Sequence, residues 1–214
     1  MKIHGTVLVQ TVEYIDIPET TQGQPVVVEL LRNWILFPLL YEERLGNKGG
    51  VSMIIGKPSR FAVEFELNDK YGGAWLFGKF CYWICDVCIG KYEDGTTLRD
   101  ILACMPWMIH DNGNRRHHEL FLMETEELYK KIDNALYGDG DSAEEEWARF
   151  EIKPLVDVFD DWKIYLVEND EETRIITQNQ DCIREYKISP GEFDYAIRLA
   201  YNKLNDLYEK EENV

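Results

Sequence analysis

Apolar and polar residues alternate without a break from Phe61 to Leu67. Phe61, Val63, Phe65 and Leu67 share one face while Glu64 and Glu66 take the other, the period of a half-buried strand. A turn over residues 68–73 leads to two further expected strands, 75–84 and 88–92, joined by a tight turn at Cys85-Asp86-Val87. The three make an antiparallel meander. Asp94-Gly95-Thr96-Thr97 then ends the sheet, and Thr97 and Asp100 stand at capping-box spacing before Leu98, Ile101, Leu102 and Met105. Pro106 is expected to end or kink that helix.

The polar run from His110 to His118, with Asn112-Gly113-Asn114 as turn chemistry, reads as an exposed loop. A second helix is expected over 126–137, opened by Thr125 and closed by Gly138, with Leu128, Ile132, Ala135 and Leu136 on its packing side. Residues 138–146 are acidic and small; Ser142 with Glu145 marks another cap, and Trp147 and Phe150 anchor the turn that follows. Residues 162–167 and 173–177 read as a β-hairpin across Glu168-Asn169-Asp170-Glu171-Glu172, with 183–188 as a third strand. The chain closes on a helix with Ser189 as N-cap, Pro190 at its first position and Glu192 completing a capping box. Phe193, Ile197, Ala200, Tyr201, Leu204 and Leu207 form its apolar stripe.

The first 52 residues stand apart in charge. They carry four basic and six acidic residues, which leaves 19 basic and 34 acidic for residues 53–214. Gly46-Asn47-Lys48-Gly49-Gly50 is a turn-rich break, and Lys48-Gly49-Gly50 is encodable by a purine-rich ribosome-binding sequence two codons before Met53. Residues 1–52 are therefore expected to be an extension, with the native product starting at Met53 and 53–214 forming a single domain. The competing expectation is a strand over 5–17 and a Pro-interrupted helix over 26–45 packed on the core.

Composition narrows the function. The chain has 214 residues, 45% hydrophobic and 13% aromatic, so it has far too much to bury to stay disordered. The six tryptophans are expected mostly in the core, with Trp75 and Trp83 on one strand face. A net charge of −17 opposes approach to nucleic acid or anionic lipid and favours a basic partner. No stretch is long and apolar enough to span a bilayer, the N-terminus has no signal-peptide pattern, and five cysteines, an odd number, read as reduced thiols. The cytoplasm is the default compartment.

Two constellations could carry chemistry. Cys81, Cys85 and Cys88, with His110, His117 and His118 downstream, supply zinc-type ligands without the second paired knuckle that a zinc ribbon needs. The segment from His110 to Glu119 gathers general bases, metal ligands and cations, and supports a small metal-dependent hydrolase as the alternative reading; it lacks a nucleophile elbow or a phosphate loop. Gly138-Asp139-Gly140-Asp141-Ser142 resembles a calcium loop only superficially and reads as a turn between helices.

The run Met53-Ile54-Ile55-Gly56-Lys57-Pro58-Ser59-Arg60-Phe61-Ala62-Val63-Glu64-Phe65, followed by Trp75-Leu76-Phe77-Gly78, resembles the opening of the immunity protein 42 family. Gly95 to Asp100, the loop from His110 to Arg116 and the closing helix from Phe193 to Tyr208 are consistent with it, so the resemblance spans residues 53–214. It implies an α+β fold: an antiparallel sheet, made of the meander and the C-terminal hairpin, packed against helices that include the long C-terminal amphipathic one. It also implies a cytoplasmic antitoxin that binds and occludes a cognate polymorphic toxin, with no reaction, cofactor or metal of its own. No catalytic residues come with the family. Charge alone then assigns the contacts with a basic toxin to Glu144, Glu145, Glu146, Asp160, Asp161, Glu168, Asp170, Glu171 and Glu172, with Asp157 in the same clusters.

Overall fold

The alternation at residues 61–67 becomes the second strand of a meander. In the computed structural model, which describes residues 41–45, 51–138 and 144–212, β1 (Tyr41–Leu45), β2 (Val51–Gly56), β3 (Phe61–Leu67), β4 (Phe77–Ile84) and β5 (Val87–Ile89) lie side by side in chain order, all antiparallel. β6 (Thr96–Thr97) adds to the free end of β4. Phe61, Val63, Phe65 and Leu67 are buried as expected, in register with Phe80, Tyr82 and Ile84 of β4.

Helices α1 (Leu98–His110) and α5 (Glu192–Glu212) cover that apolar face. Leu98, Ile101, Leu102, Met105 and Met108 come from α1, and Phe193, Ala196, Ile197, Ala200 and Leu204 from α5. A one-turn helix, α2 (His118–Phe121), and the 13-residue α3 (Thr125–Tyr137) precede α4 (Glu144–Ala148). The second sheet is β7 (Trp162–Glu168), β8 (Thr173–Asn179) and β9 (Cys182–Ile188), in that order and antiparallel. β7 is buried on both faces, which explains its unbroken apolar run. Ile164, Leu166 and Ile175 join the main core, while Tyr165, Val167 and Ile176 face a smaller cluster with Leu120, Leu128, Ile132 and Phe150.

Several local expectations are corrected. Trp75 belongs to a 3-10 turn, Gly73–Trp75, and β4 begins only at Phe77, so Trp75 and Trp83 do not share a strand face. The β4–β5 turn is the two residues Cys85 and Asp86, both at positive φ, and β5 ends at Ile89 because Gly90 turns away at φ 109°. None of the five tryptophans whose surroundings are described is fully buried: Trp75 and Trp107 are exposed, and Trp83, Trp147 and Trp162 are half-buried.

Pro106 does not end α1. The helix runs on to His110 because Met108 is buried beyond the proline and its carbonyl accepts the Arg115 guanidinium at 2.6 Å. At α5, Pro190 lies outside the helix, since Gly191 at φ 78° turns the chain just before Glu192. Half of the expected capping box survives. Glu192 accepts the Ser189 N–H at 3.3 Å, whereas the Ser189 hydroxyl accepts Arg60 at 2.6 Å.

Residues 41–45 of the expected N-terminal helix form β1, paired with β2 from Tyr41↔Ile55 to Leu45↔Val51. The expected division after residue 52 falls inside β2. The expected strand over 5–17, the remainder of that helix and the loop at 139–143 lie outside the described residues.

Gly78 is where β4 passes beneath the start of α1. A Cβ there would stand 2.2 Å from the Glu66 carbonyl oxygen and 2.8 Å from Leu98 Cδ1. Gly78→Ala is therefore expected to lower the unfolding free energy by about 2 kcal/mol or more in urea denaturation. Unchanged stability would refute this account of how α1 seats on the sheet.

Candidate functional site

The segment from His110 to Glu119 was the strongest catalytic candidate in the sequence, and its Arg115, Arg116 and His117 side chains have structural partners. Arg115 is fully buried, contrary to the expectation of an exposed loop. Its Nε donates to the Arg149 carbonyl at 2.9 Å, Nη1 to Asp194 Oδ1 at 2.9 Å and Nη2 to the Met108 carbonyl at 2.6 Å. The backbone is fixed too: the Glu168 N–H donates to the Arg115 carbonyl, and the His117 N–H to the Glu168 carbonyl, at 3.0 and 3.1 Å.

His117 Nδ1 accepts the Leu120 N–H at the start of α2, so it acts as a helix cap. His110, His118 and Glu119 point to solvent. Among the described residues no group of three or more His, Cys, Asp or Glu side chains is disposed to hold a metal ion, and no nucleophile is paired with a base in this loop. The hydrolase alternative finds no support in this geometry.

The acidic residues assigned to a partner do not form one surface. Asp160 and Asp161 lie before β7, where Asp161 pairs with Lys91 at 2.6 Å. Asp170, Glu171 and Glu172 lie beyond its other end, a strand of seven residues or about 20 Å away. There Asp170 pairs with Arg116 at 3.1 Å and Glu172 with Lys187 at 2.8 Å. Glu146 is exposed on α4 beside Arg149; Glu144 and Glu145 precede it on that helix, and their side chains lie outside the described set.

Glu168 is a correction. It is buried, accepts the Thr173 hydroxyl at 2.8 Å and contributes backbone pairing to the Arg115 loop, so no partner can reach its carboxylate. Its place at the end of a doubly buried strand carried no signal beyond the acidic run in which it sits.

A different feature is open to solvent. A cleft of about 560 Å³ runs between Phe77 and Gly78 of β4, the Asp94–Thr97 segment, Asp100 of α1 and the segment Leu155–Asp157. Leu155 is 75% exposed and Phe77 42%. Trp75, 50% exposed, stacks on Phe77 at an interplanar angle of 6°, and the Arg99 guanidinium lies 3.8 Å from its ring centroid. Sequence reading missed this patch because a strand containing Trp75 would have turned its ring toward the sheet. Gly72-Gly73 just before it was the available signal for a turn instead.

The family model described as immunity protein 42 matches residues 53–203. The chain belongs to the immunity protein 42 family. Its fold is similar to that in the crystal structure of CdiI from Burkholderia dolosa AUO158, with a TM-score of 0.60 and 20% identity, covering 71% of this chain and 99% of that one. No curated protein matches the chain. This is an immunity protein that neutralises a toxin, and its family membership implies a cognate toxin as partner. The matched region opens on β2, contains the cleft and the Arg115 loop, and ends within α5. Among the described residues no helix is long and apolar enough to cross a membrane.

Asp194 gives the buried loop of the immunity protein a pH signature. Burial pushes its carboxyl up to about 6 against the pull of Arg115, Glu168 adds to the rise, and Oδ2 has no hydrogen-bond partner. The folded state thus binds this proton more tightly than the unfolded chain, whose value is near 3.8. That contribution is full below the unfolded value and is lost as pH rises through about 6, with a slope of at most about 1.4 kcal/mol per pH unit. Wild-type urea midpoints are expected to rise from pH 7 to pH 5, and Asp194→Asn to flatten that rise. Parallel profiles would refute it.

Proposed function

We propose that the protein neutralises its cognate toxin by binding alone, covering the toxin's active surface in the cytoplasm with no reaction, cofactor or metal of its own. The observation that carries this reading is membership of the immunity protein 42 family across residues 53–203. We propose residues 53–214 as the immunity unit and the first 52 as an extension to it.

The partner's chemistry is argued from charge. Residues 53–214 carry fifteen more acidic than basic residues, by subtracting 19 from 34. Asp160, Asp161, Asp170, Glu171 and Glu146 are all exposed. A surface of that sign repels nucleic acid and anionic lipid and draws in a basic protein face, such as the groove with which a nuclease holds its own polyanionic substrate. Steering of this kind speeds encounter more than it strengthens the final complex, so slow dissociation falls to apolar contacts made after docking. Because the carboxylates are distributed around both ends of β7, they guide approach from a distance and do not define a single contact patch.

The test pairs a cell assay with kinetics. Co-expression with the toxin domain encoded immediately upstream is expected to rescue growth and to yield a co-purifying complex; failure of both would refute neutralisation. Raising the salt from 50 to 500 mM is expected to slow association roughly tenfold or more while dissociation changes little. Neutralising Asp160, Asp170 and Glu171 together is expected to reduce that salt dependence. A salt-independent association rate would leave the complex intact and sink the basic-partner argument.

A further inference from the structure

We propose that the cleft beside Trp75 is the seat of the toxin's main contact, taking a cationic side chain, an Arg or Lys with its aliphatic stem, from a basic segment of the toxin domain. The inference rests on the neutralisation reading above and assigns it a location.

The local backbone holds two large apolar side chains outward. Leu76 sits at φ 51°, in the left-handed region that a branched side chain rarely occupies, and its side chain is fully buried. With Leu76 turned into the core, its neighbours Trp75 and Phe77 are displayed on the surface. Three backbone hydrogen bonds fix this: Leu76 N–H to the Gly73 carbonyl at 3.0 Å, Phe77 N–H to the Tyr71 carbonyl at 2.7 Å, and Leu98 N–H to the Leu76 carbonyl at 3.0 Å. The Trp75 ring, held against Phe77 and Arg99, has little freedom left to lose on binding, which is the property of an interface anchor. Across the cleft Leu155 is exposed at 75%. Phe77 and Leu155 on the lining and Trp75 beside it thus leave a large apolar area exposed around one concavity.

The charge of the cleft selects the occupant. Its lining contains Asp94, Asp100 and Asp157 against Lys70, and Arg99 beside it pairs with Asp100 at 3.2 Å, which leaves Asp94 and Asp157 as the carboxylates open to a new cation. Two of the three carboxylates are held in place. Asp157 Oδ1 accepts the Thr96 hydroxyl at 3.1 Å and the Val158 N–H at 2.9 Å, and Asp100 is held by Thr97 and Arg99. Beyond the lining, Asp160 and Asp161 lie around Lys91, which pairs with Asp161 at 2.6 Å. An extended cationic side chain meets apolar walls along its stem and carboxylates at its head, whereas an anionic or purely apolar ligand meets only half of what the cleft presents.

The experiment uses the purified full chain and an inactivated toxin domain encoded immediately upstream, titrated by calorimetry. Leu155→Arg places a charge of the partner's own sign at a largely exposed position on the cleft, and Trp75→Ala removes the anchor. The dissociation constant is expected to weaken at least about 100-fold for the first and about 30-fold for the second. Trp107→Ala and Leu122→Ala, exposed elsewhere at 75% and 69%, are expected to bind within about threefold of wild type. Thermal melting of Leu155→Arg, a surface change, confirms that a loss is not unfolding. If wild type binds while Leu155→Arg and Trp75→Ala bind as well as it does, the location is wrong and neutralisation stands. The location is likewise wrong if Leu155→Arg only dissolves a dimer of this chain. If wild type fails to bind, both readings fall.

Discussion

One buried cation holds the helical side of this molecule together. Arg115 has no exposed surface, and a guanidinium in that position is tolerable only when its donors are met. Two donors go to main-chain carbonyls, at the end of α1 and after α4, and one to a carboxylate in the first turn of α5. The Phe193 ring lies 5.2 Å from its carbon. Three segments distant in sequence are therefore fixed to one planar group, and the loop bearing it is stitched to the end of β7. The side chain that looked most like part of an active site is a structural pin.

Arg174 repeats the device on a smaller scale. Almost buried on β8, it donates to the carbonyls of Phe121 and Met123 and pairs with Glu185 of β9. Helix α2 thereby has its last carbonyl, that of Phe121, satisfied by a side chain from the sheet beneath it, and Met123 in the α2–α3 junction is held by the same group over the smaller apolar cluster. Both arginines spend their charge inside, and Glu168 and Asp194 are buried with them, so among the described residues the buried charges balance and the excess of carboxylates stays on the exterior. A balanced interior under an acidic exterior suits a protein that works by attracting another.

Against this negative exterior, the aromatic edge around Trp75 is one of the exposed apolar sites, with Trp107 another. Most tryptophans in a domain of this size pack largely inward. Here Trp75 is turned out by the inversion at Leu76, next to a concavity whose walls include Phe77, Leu155 and three carboxylates. The long-range field and the short-range apolar contact thus lie side by side. That proximity lets one surface serve both the speed of encounter and the lifetime of the complex.

Periodicity in the chain determined the elements that bury one regular face: Phe61–Leu67, the two long strands of the C-terminal hairpin, and the stripe of α5 from Phe193 to Leu204 were all legible, because a two-residue or 3.6-residue repeat is a local property. The family was legible as well, in short aromatic runs that tertiary structure later placed on β2, β3 and β4. What the chain could not reveal was the destination of individual polar side chains. Arg115 and Glu168 read as solvated members of charged runs, yet a carbonyl from 34 residues away and a carboxylate from 79 converge on Arg115, and the loop that bears it pairs with the backbone of Glu168, so both are buried. Trp75 read as strand, yet it stands outside because a buried Leu76 inverts the backbone. Each outcome depends on which distant groups meet at a point, and only the packed tertiary structure decides that.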